Sequence, residues 1–233
     1  MSKQKTVAVI TARGGSKRIP RKNVKPFLGK PIMAYSIEAA VRSGIFDEVM
    51  VSTDDEEIAR IAGEAGAQVP FLRSAENAND FANTTDVMTV VLQQYAARGE
   101  HFDYACCIYP TAPFVTAQRL TEAMHILTEN GADGVMPVVD FGFPPQRGVV
   151  EENGFIRFKQ PEYAFSRSQD LEPLYHDAGQ FYFLRTESFL VQKKLVMDKM
   201  VPMFLSRMEV QDIDTLEDWK IAELKYRLLH EGQ

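Results

Sequence analysis

The chain has 233 residues, 45% of them hydrophobic and 25% charged, so it can form one ordinary globular domain with a smaller appendage and is neither disordered nor fibrous. The formal net charge of −6 argues against a nucleic-acid binder, because such proteins need a basic surface that displaces counterions from phosphates. No apolar run reaches the roughly 20 residues that cross a bilayer, and the N-terminal residues lack the apolar region of a signal peptide, so we expect a cytoplasmic protein without a membrane partner.

A strand and a basic loop open the chain. Residues 6–12 form a continuous apolar, β-branched run typical of a strand that is covered on both faces. The next segment, Arg13–Lys25, carries six basic residues and no acidic one, and it leaves the carboxyl end of the strand, where open α/β sheets bind ligands. Gly14 and Gly15 let the backbone approach an anion, so the pattern predicts a di- or triphosphate site. A solvated surface loop or a basic targeting tract is the alternative.

Strands and helices then alternate as in right-handed βαβ units, which predicts a doubly wound α/β fold with a mostly parallel sheet. Asp54 and Asp55 follow the second strand, and an N-cap role for the next helix explains them, so we assign them no chemistry. Cys106 and Cys107 lie in an apolar strand and are interpreted as reduced core residues on opposite faces. The predicted strands are residues 48–53, 68–72, 104–109 and 134–139, and the predicted helices are residues 31–43, 55–65, 84–97 and 116–129.

An aromatic segment at about residues 140–182 interrupts this alternation. The pattern predicts short strands around a turn at residues 152–154, and we interpret the segment as a β arm inserted in a single domain that spans residues 1–233. Its aromatic side chains form either a small core of the arm or a subunit interface, and the interface is favoured because so small an arm is not stable alone. These side chains are Phe141, Phe143, Phe155, Phe158, Tyr163 and Phe165.

A pair of acids, Asp212 and Asp214, lies in the last part of the chain. In an extended segment, residues two apart face the same side, so both carboxylates can bind one hard cation such as Mg²⁺. Alternatively, Asp214 and Glu217 form a D-x-x-E pattern that caps the last helix, and capping by Asp214 or Thr215 need not exclude the metal site. The elements predicted around the pair are strands at residues 178–184 and, at a sheet edge, 200–205, and a helix at residues 215–229.

Several segments resemble one enzyme family. A-R-G-G-S-K-R-I-P-x-K-N at residues 12–23 is similar to the signature of the CMP-nonulosonate synthetases, the acylneuraminate cytidylyltransferases. The resemblance continues in order through VSTDDEEIA, PFLRSAENANDFANTT, IYPTAPF and QDIDTLEDW, so it covers nearly the whole chain. It implies a Rossmann-like nucleotidyltransferase fold, CTP as a substrate, Mg²⁺ on Asp212 and Asp214, and a homodimer whose arm completes the partner's site.

The resemblance also assigns residues to the nucleotide. The expected reaction joins CMP from CTP to the anomeric hydroxyl of a nine-carbon α-keto acid sugar by in-line attack on the α-phosphate. We hypothesise that Mg²⁺ bridges the α-phosphate and the sugar hydroxyl, while Arg13 and Lys22 stabilise the departing pyrophosphate. The residues expected to bind the CTP phosphates are Arg13, Gly15, Ser16, Lys22 and Asn23, and those expected to line the cytosine and ribose are Arg73, Ala82 and Thr84.

The choice of sugar depends on two departures from the N-acetylneuraminate enzymes. Tyr109 stands where a glutamine usually precedes P-T-S-P, and AGQFY replaces N-G-x-x-Y, so an apolar face replaces amide hydrogen bonds, as suits a sugar with a deoxygenated methyl carbon. The set of motifs resembles the pseudaminate cytidylyltransferases. The residues expected to contact the sugar are Tyr109, Arg167, Gln169, Gln180 and Tyr182. Strand packing for Tyr182 and a surface ion pair for Arg167 are the alternatives.

Other functions are open to the sequence. Legionaminic acid, N-acetylneuraminic acid or the eight-carbon Kdo could replace pseudaminic acid as the substrate. From a different class, a nucleotide sensor would keep the basic loop without transferring anything, although the Asp212 and Asp214 pair disfavours it. Kinase-like and NAD-dependent enzymes are disfavoured because the loop has neither P-loop spacing nor a G-x-G-x-x-G fingerprint.

Overall fold

A computed structural model describes residues 4–73 and 83–230. The strands are β1 (Thr6–Thr11), β2 (Pro26–Phe27), β3 (Lys30–Pro31), β4 (Glu48–Ser52), β5 (Tyr104–Ile108), β6 (Gly134–Asp140), β7 (Val149–Glu152), β8 (Phe155–Phe158), β9 (Tyr175–Asp177), β10 (Phe181–Arg185) and β11 (Met200–Phe204). The helices are α1 (Ile32–Ser43), α2 (Glu56–Glu64), α3 (Thr84–Ala97), α4 (Ala117–Glu129), α5 (Thr186–Gln192) and α6 (Leu216–His230). Every helix in these two ranges is too short or too polar to span a lipid bilayer.

A central sheet organises the fold. In the described part of the chain it has seven strands, six of them in the order β11-β6-β10-β5-β1-β4, with β9 paired to β6. Five strands run in one direction, and β10 and β9 run in the other. The predicted mostly parallel α/β fold is therefore confirmed. Because β1 lies parallel to both β4 and β5, the carboxyl ends of these three strands meet at one sheet edge.

Helices cover both faces of the sheet, and each face has its own core. On one face, α1, α2 and α4 contribute buried residues such as Ile37, Ile58 and Leu120. On the other, α3 and α5 contribute residues such as Val91 and Phe189. The two cysteines separate as predicted, since Cys106 packs in the first core and Cys107 in the second, and both are buried free thiols.

Two strand predictions need correction. In the predicted strand at residues 68–72, only Gln68 forms a bridge, to Met50, because Pro70 has no N–H with which to continue the ladder. The predicted strand at residues 178–184 begins only at Phe181. Before it the chain turns at Gly179, whose φ of 63° is a left-handed conformation that favours glycine. The short elements β2, β3, β9 and α5 were not predicted.

The arm projects an antiparallel hairpin, β7–β8, with its turn at Asn153 and Gly154. Its apolar side chains are not buried together. Phe155 is 78% exposed, Ile156 is 76% exposed and Phe165 is 98% exposed. Of the two alternatives, a small core of the arm therefore does not hold for Phe155 and Phe165, and the favoured subunit interface stays a prediction.

Candidate active site

The basic loop leaves β1 at the sheet edge where β4 and β5 also end. The Ala12 N–H donates to the Ser52 carbonyl at 3.0 Å, so backbone pairing continues one residue past β1. The side-chain amide of Asn23 donates to the Arg13 carbonyl at 2.8 Å. Because Asn23 is buried, this bond closes the loop from the inside. Gly15 is exposed, and Ser16 is half-buried.

Lys22 connects the loop to the distant acidic segment. Its Nζ donates to the Ile213 carbonyl at 2.6 Å and lies 3.9 Å from Asp214 Oδ1. A second contact joins Arg18 Nη1 to Asp214 Oδ2 at 2.5 Å. Burial lowers the pKa of Lys22, and the negative charges of Asp214 and Asp212 oppose that shift. The fold thus brings the predicted phosphate loop and the predicted acid pair together.

The two aspartates flank a buried residue. Ile213 is 1% exposed, whereas Asp212 is exposed and Asp214 half-buried, so both acids lie on the outer side of an extended segment. Of the two residues considered as caps of the last helix, Thr215 and not Asp214 takes that role. Thr215 Oγ1 accepts from the Asp218 N–H at 3.2 Å, and Asp218 Oδ2 accepts from the Thr215 N–H at 2.8 Å. This pairing leaves the Asp214 carboxylate to the basic loop.

Arg73 ends the first described range of residues, and Thr84 lies near the start of the second. The Arg73 guanidinium donates to Ser52 Oγ at 2.8 Å and to the Ser52 carbonyl at 2.6 Å. Burial lowers the pKa of Arg73 to about 10, the charge of Asp54 opposes this shift, and the charge of Arg13 adds to it. Arg73 therefore lies near the start of the basic loop. Thr84 is the first residue of α3. Ala82 lies outside the described residues.

A family model described as Cytidylyltransferase matches residues 7–226. The chain belongs to the cytidylyltransferase family. It is 40% identical to the pseudaminic acid cytidylyltransferase of Campylobacter jejuni subsp. jejuni, over 98% of this chain and 99% of the relative. It is 32% identical to the CMP-N,N'-diacetyllegionaminic acid synthase of Legionella pneumophila subsp. pneumophila, over 97% of this chain and 98% of that one. These comparisons identify the chain as a nucleotidyltransferase and confirm the predicted family.

The fold of this cytidylyltransferase matches that of a solved nucleotide complex. The structure of CMP:2-keto-3-deoxy-manno-octonic acid synthetase complexed with CTP aligns with a TM-score of 0.71 and 16% identity, and the match covers 98% of this chain and 100% of the other. At this identity the likeness establishes the fold alone.

At the carboxyl end of β5, the cytidylyltransferase has a small cluster of polar and aromatic side chains. The rings of Tyr109 and Tyr182 pack edge to face at 5.9 Å. The Tyr182 hydroxyl donates to the Asp177 carboxylate, which also accepts from the Gly179 N–H at 2.8 Å. Burial raises the pKa of Tyr109, and its polar contacts with Tyr182 and Thr84 oppose the rise. The cluster thus connects the predicted sugar residues with Thr84, a predicted nucleotide residue.

The remaining predicted sugar residues lie in different surroundings. Gln180 is buried, and its amide donates to the Glu209 carbonyl. Arg167 is exposed, and its Nε donates to Asp170 at 2.7 Å, as in the ion-pair alternative. Gln169 lines a cavity of about 360 Å³ on the arm, together with Phe143 and Arg207. Their contacts with a sugar stay a prediction.

The sequence interpretation missed residues that hold this site together. Asp54 was assigned only a helix cap, yet its Oδ1 accepts from the Gly14 N–H at 3.0 Å. Arg21 was counted only as one of six basic residues, yet it forms ion pairs with Asp55 and Glu57. Asp177 was not named. The one available signal was the acidic pair directly after β4, at the same sheet edge as the basic loop.

Proposed function

We propose that the protein transfers CMP from CTP to the anomeric hydroxyl of pseudaminic acid and releases pyrophosphate. The observation that carries this proposal is the 40% identity to the Campylobacter jejuni pseudaminic acid cytidylyltransferase, which extends over 98% of this chain and 99% of the relative. In the reaction, the sugar oxygen forms a bond to the α-phosphorus, the bond to the β-phosphate breaks, and the hydroxyl proton leaves to solvent.

The contacts of the basic loop support its role as the triphosphate site. Arg13, Ser16 and Lys22 belong to the loop that Asn23 closes, and the exposed Gly15 leaves room for a ligand. In this arrangement Lys22 and Arg13 stabilise the charge that develops on pyrophosphate as it leaves. Arg73 and Thr84 then line the nucleoside, together with the predicted contact at Ala82.

The acid pair fits a magnesium ion. Within the described residues, no group of three or more His, Cys, Asp or Glu side chains forms a ready-made metal site. Mg²⁺ commonly takes one or two carboxylates and completes its shell with water and substrate phosphates, so Asp212 and Asp214 are a sufficient donor set. When bound, the ion supplies neutralisation of the phosphate oxygens. The Arg18 contact with Asp214 is solvent-exposed and weak, about 0–1 kcal/mol, so substrate can replace it.

The sugar pocket is proposed beside the Tyr109 and Tyr182 pair. Both rings are largely buried and sit at the sheet edge next to the triphosphate loop. Their apolar faces suit a deoxygenated methyl carbon, and the Tyr182 hydroxyl, whose proton points to Asp177, offers an acceptor to an amide N–H of the sugar. Arg167 and Gln169 are proposed to reach the sugar carboxylate and substituents.

We propose that the enzyme works as a homodimer in the cytoplasm. The support is the exposed aromatic surface of the arm, since a large exposed apolar patch commonly marks a protein interface. We expect Phe165→Ser to shift the mass in light scattering toward the monomer. Val191, on α5, is 79% exposed and supplies the matched control, because Val191→Ser removes an exposed apolar side chain outside the arm. A monomeric wild-type protein would contradict the proposal.

The decisive experiment is a substrate panel. Purified protein is incubated with CTP, Mg²⁺ and one sugar at a time, and mass spectrometry detects the CMP conjugate. Pseudaminic acid should give the highest kcat/KM, ahead of N,N'-diacetyllegionaminic and N-acetylneuraminic acids. A higher kcat/KM for the legionaminic acid would transfer the assignment to that sugar. Absence of a conjugate and of pyrophosphate with every sugar would reject the proposed reaction.

Two arginine variants test the sugar contact. Arg167→Gln should raise the KM for the sugar, because a carboxylate partner is lost, and leave the KM for CTP unchanged. Arg157 on β8 is a matched control, since it too is exposed and pairs with an acid, Glu152, at 2.6 Å. If Arg167→Gln and Arg157→Gln behaved alike, Arg167 would have no part in sugar binding.

A further inference from the structure

Three carboxylates stand next to the loop that is proposed to hold a triphosphate. Asp54 and Asp55 lie at the turn between β4 and α2, Glu57 lies in the first turn of α2, and each of the three contacts the loop. Their negative charges repel a triphosphate, so charge alone gives no reason for their place. Their hydrogen bonds give one.

Asp54 holds the beginning of the loop. Its Oδ1 accepts from the Gly14 N–H at 3.0 Å. Two residues earlier in the chain, the Ala12 N–H donates to the Ser52 carbonyl. The approach is close: a Cβ on Gly14 would lie 2.8 Å from Asp55 Oδ2. A side chain at this position cannot be accommodated without movement of the acidic turn. The glycine and the two aspartates therefore form one fitted contact.

Asp55 and Glu57 hold the end of the loop. Both accept hydrogen bonds from the Arg21 guanidinium. Arg21 has a left-handed φ of 54°, and it directly precedes the short turn that carries Lys22 and Asn23. The strained backbone of Arg21 is thus fixed by its side chain, and the direction of Lys22 is fixed with it.

We propose that Asp54 and Asp55 are positioning residues that pre-form the phosphate-binding loop before CTP arrives. The inference rests on the proposed function, since it deepens the role of the same loop. Binding costs less when a loop is already ordered, so their loss should weaken nucleotide binding although it removes negative charge. A purely electrostatic role has the opposite sign, because removing a carboxylate next to a triphosphate tightens binding.

The first test measures CTP binding by calorimetry without any sugar, so its result does not depend on which sugar the enzyme uses. Asp54→Ala removes the acceptor of the Gly14 N–H and should raise the Kd for CTP about 10-fold, as expected for a hydrogen bond to a charged group. Asp54→Asn keeps an acceptor oxygen and loses the charge, so it should bind CTP as the wild type does or more tightly. Equal or tighter binding by Asp54→Ala would overturn the proposal.

The second test separates positioning from folding. Asp55 caps α2 by accepting from the Ile58 N–H at 3.0 Å, and asparagine is an equally good cap. Asp55→Asn therefore keeps the helix and loses the ion pair with Arg21. We expect its Kd for CTP to rise and its Tm to stay near that of the wild type. Arg21→Met removes this pair and the pair with Glu57, so its effect should be at least as large, and the double variant should be no worse than Arg21→Met alone.

Steady-state kinetics complete the test. For the three variants that are expected to weaken CTP binding, the KM for CTP should rise while the KM for the sugar is unchanged. These variants are Asp54→Ala, Asp55→Asn and Arg21→Met. A loss of Tm with parallel changes in both KM values would show a merely structural role and overturn the proposal. If the effects of Asp55→Asn and Arg21→Met on the Kd for CTP were additive, the ion pair between the two residues would have no part in positioning the loop. If no sugar is turned over even by the wild type, the proposed function fails, but the calorimetric comparison still decides this inference.

Discussion

Lys22→Met tests the junction between the basic loop and the acidic segment. Methionine has a similar length but carries no charge and no hydrogen-bond donor. The variant loses the bond from Nζ to the Ile213 carbonyl at 2.6 Å and the attraction to Asp214 Oδ1 at 3.9 Å. It also loses the cation that is proposed to meet pyrophosphate.

The effects on stability and on rate should differ in size. A hydrogen bond to a charged group contributes about 1.5–3 kcal/mol, and the lower end applies because methionine avoids the cost of burying an ammonium. For a chain of this size, about 1.5 kcal/mol lowers the Tm by roughly 3–6 °C, which leaves the protein folded. Removing a preorganised group that stabilises transition-state charge lowers kcat by about 100- to 1,000-fold.

The assay is pyrophosphate release at saturating CTP, with Tm measured by calorimetry. Lys22→Arg is the control, since it keeps a positive charge. Burial lowers the pKa of Lys22 below its usual value, so the ammonium of the free enzyme is lost as the pH rises through that lowered pKa. The alkaline limb of kcat/KM should therefore move to higher pH in Lys22→Arg. Wild-type turnover by Lys22→Met would refute the role of this cation.

The other predictions concern the metal, the loop and the sugar. Asp212→Asn and Asp214→Asn should each lower kcat by about 100-fold or more at an unchanged Tm, and near-normal activity in both would reject the metal site. Gly15→Ala should keep the Tm of the wild type, because a Cβ there meets nothing within 4 Å among the described residues. It should raise the KM for CTP, because the added methyl group occupies space that the phosphates are proposed to fill. An unchanged KM would place the phosphates elsewhere. Tyr109→Gln should raise the KM for pseudaminic acid about 10-fold and leave that for CTP unchanged, a split that calorimetry can verify.

Local patterns predicted the regular elements well. Helix α3 has the predicted bounds, Thr84 to Ala97, because Asn83 and Asp86 form a capping box that the sequence encodes within four residues. Strand β1 was recognisable because both of its faces are buried, so its apolar run is continuous. The sheet followed from the alternation of such elements.

Tertiary contacts limited the prediction elsewhere. The strand at residues 68–72 had the right composition, but Pro70 ended its pairing, and composition does not show which N–H a neighbouring strand needs. The last helix is capped by Thr215 and Asp218, although Asp214 and Glu217 satisfied the same pattern one residue earlier. Two overlapping capping patterns differ only in where the helix starts, and packing decides that.

The distribution of burial explains how an acidic protein can hold a triphosphate. Two of the contacts that fix the site are shielded from water: the bond of buried Asn23 to Arg13 and that of Lys22 to Ile213. Those that neutralise charge are more exposed, as in the pair of Arg18, whose side chain is 68% exposed, with Asp214. Exposed pairs contribute about 0–1 kcal/mol, so a phosphate can replace one at little cost while the shielded contacts keep the shape of the loop. Asn23 therefore contributes to the shape of the loop and Arg18 to its charge, so variants of Asn23 should change Tm and variants of Arg18 should change the Kd for CTP.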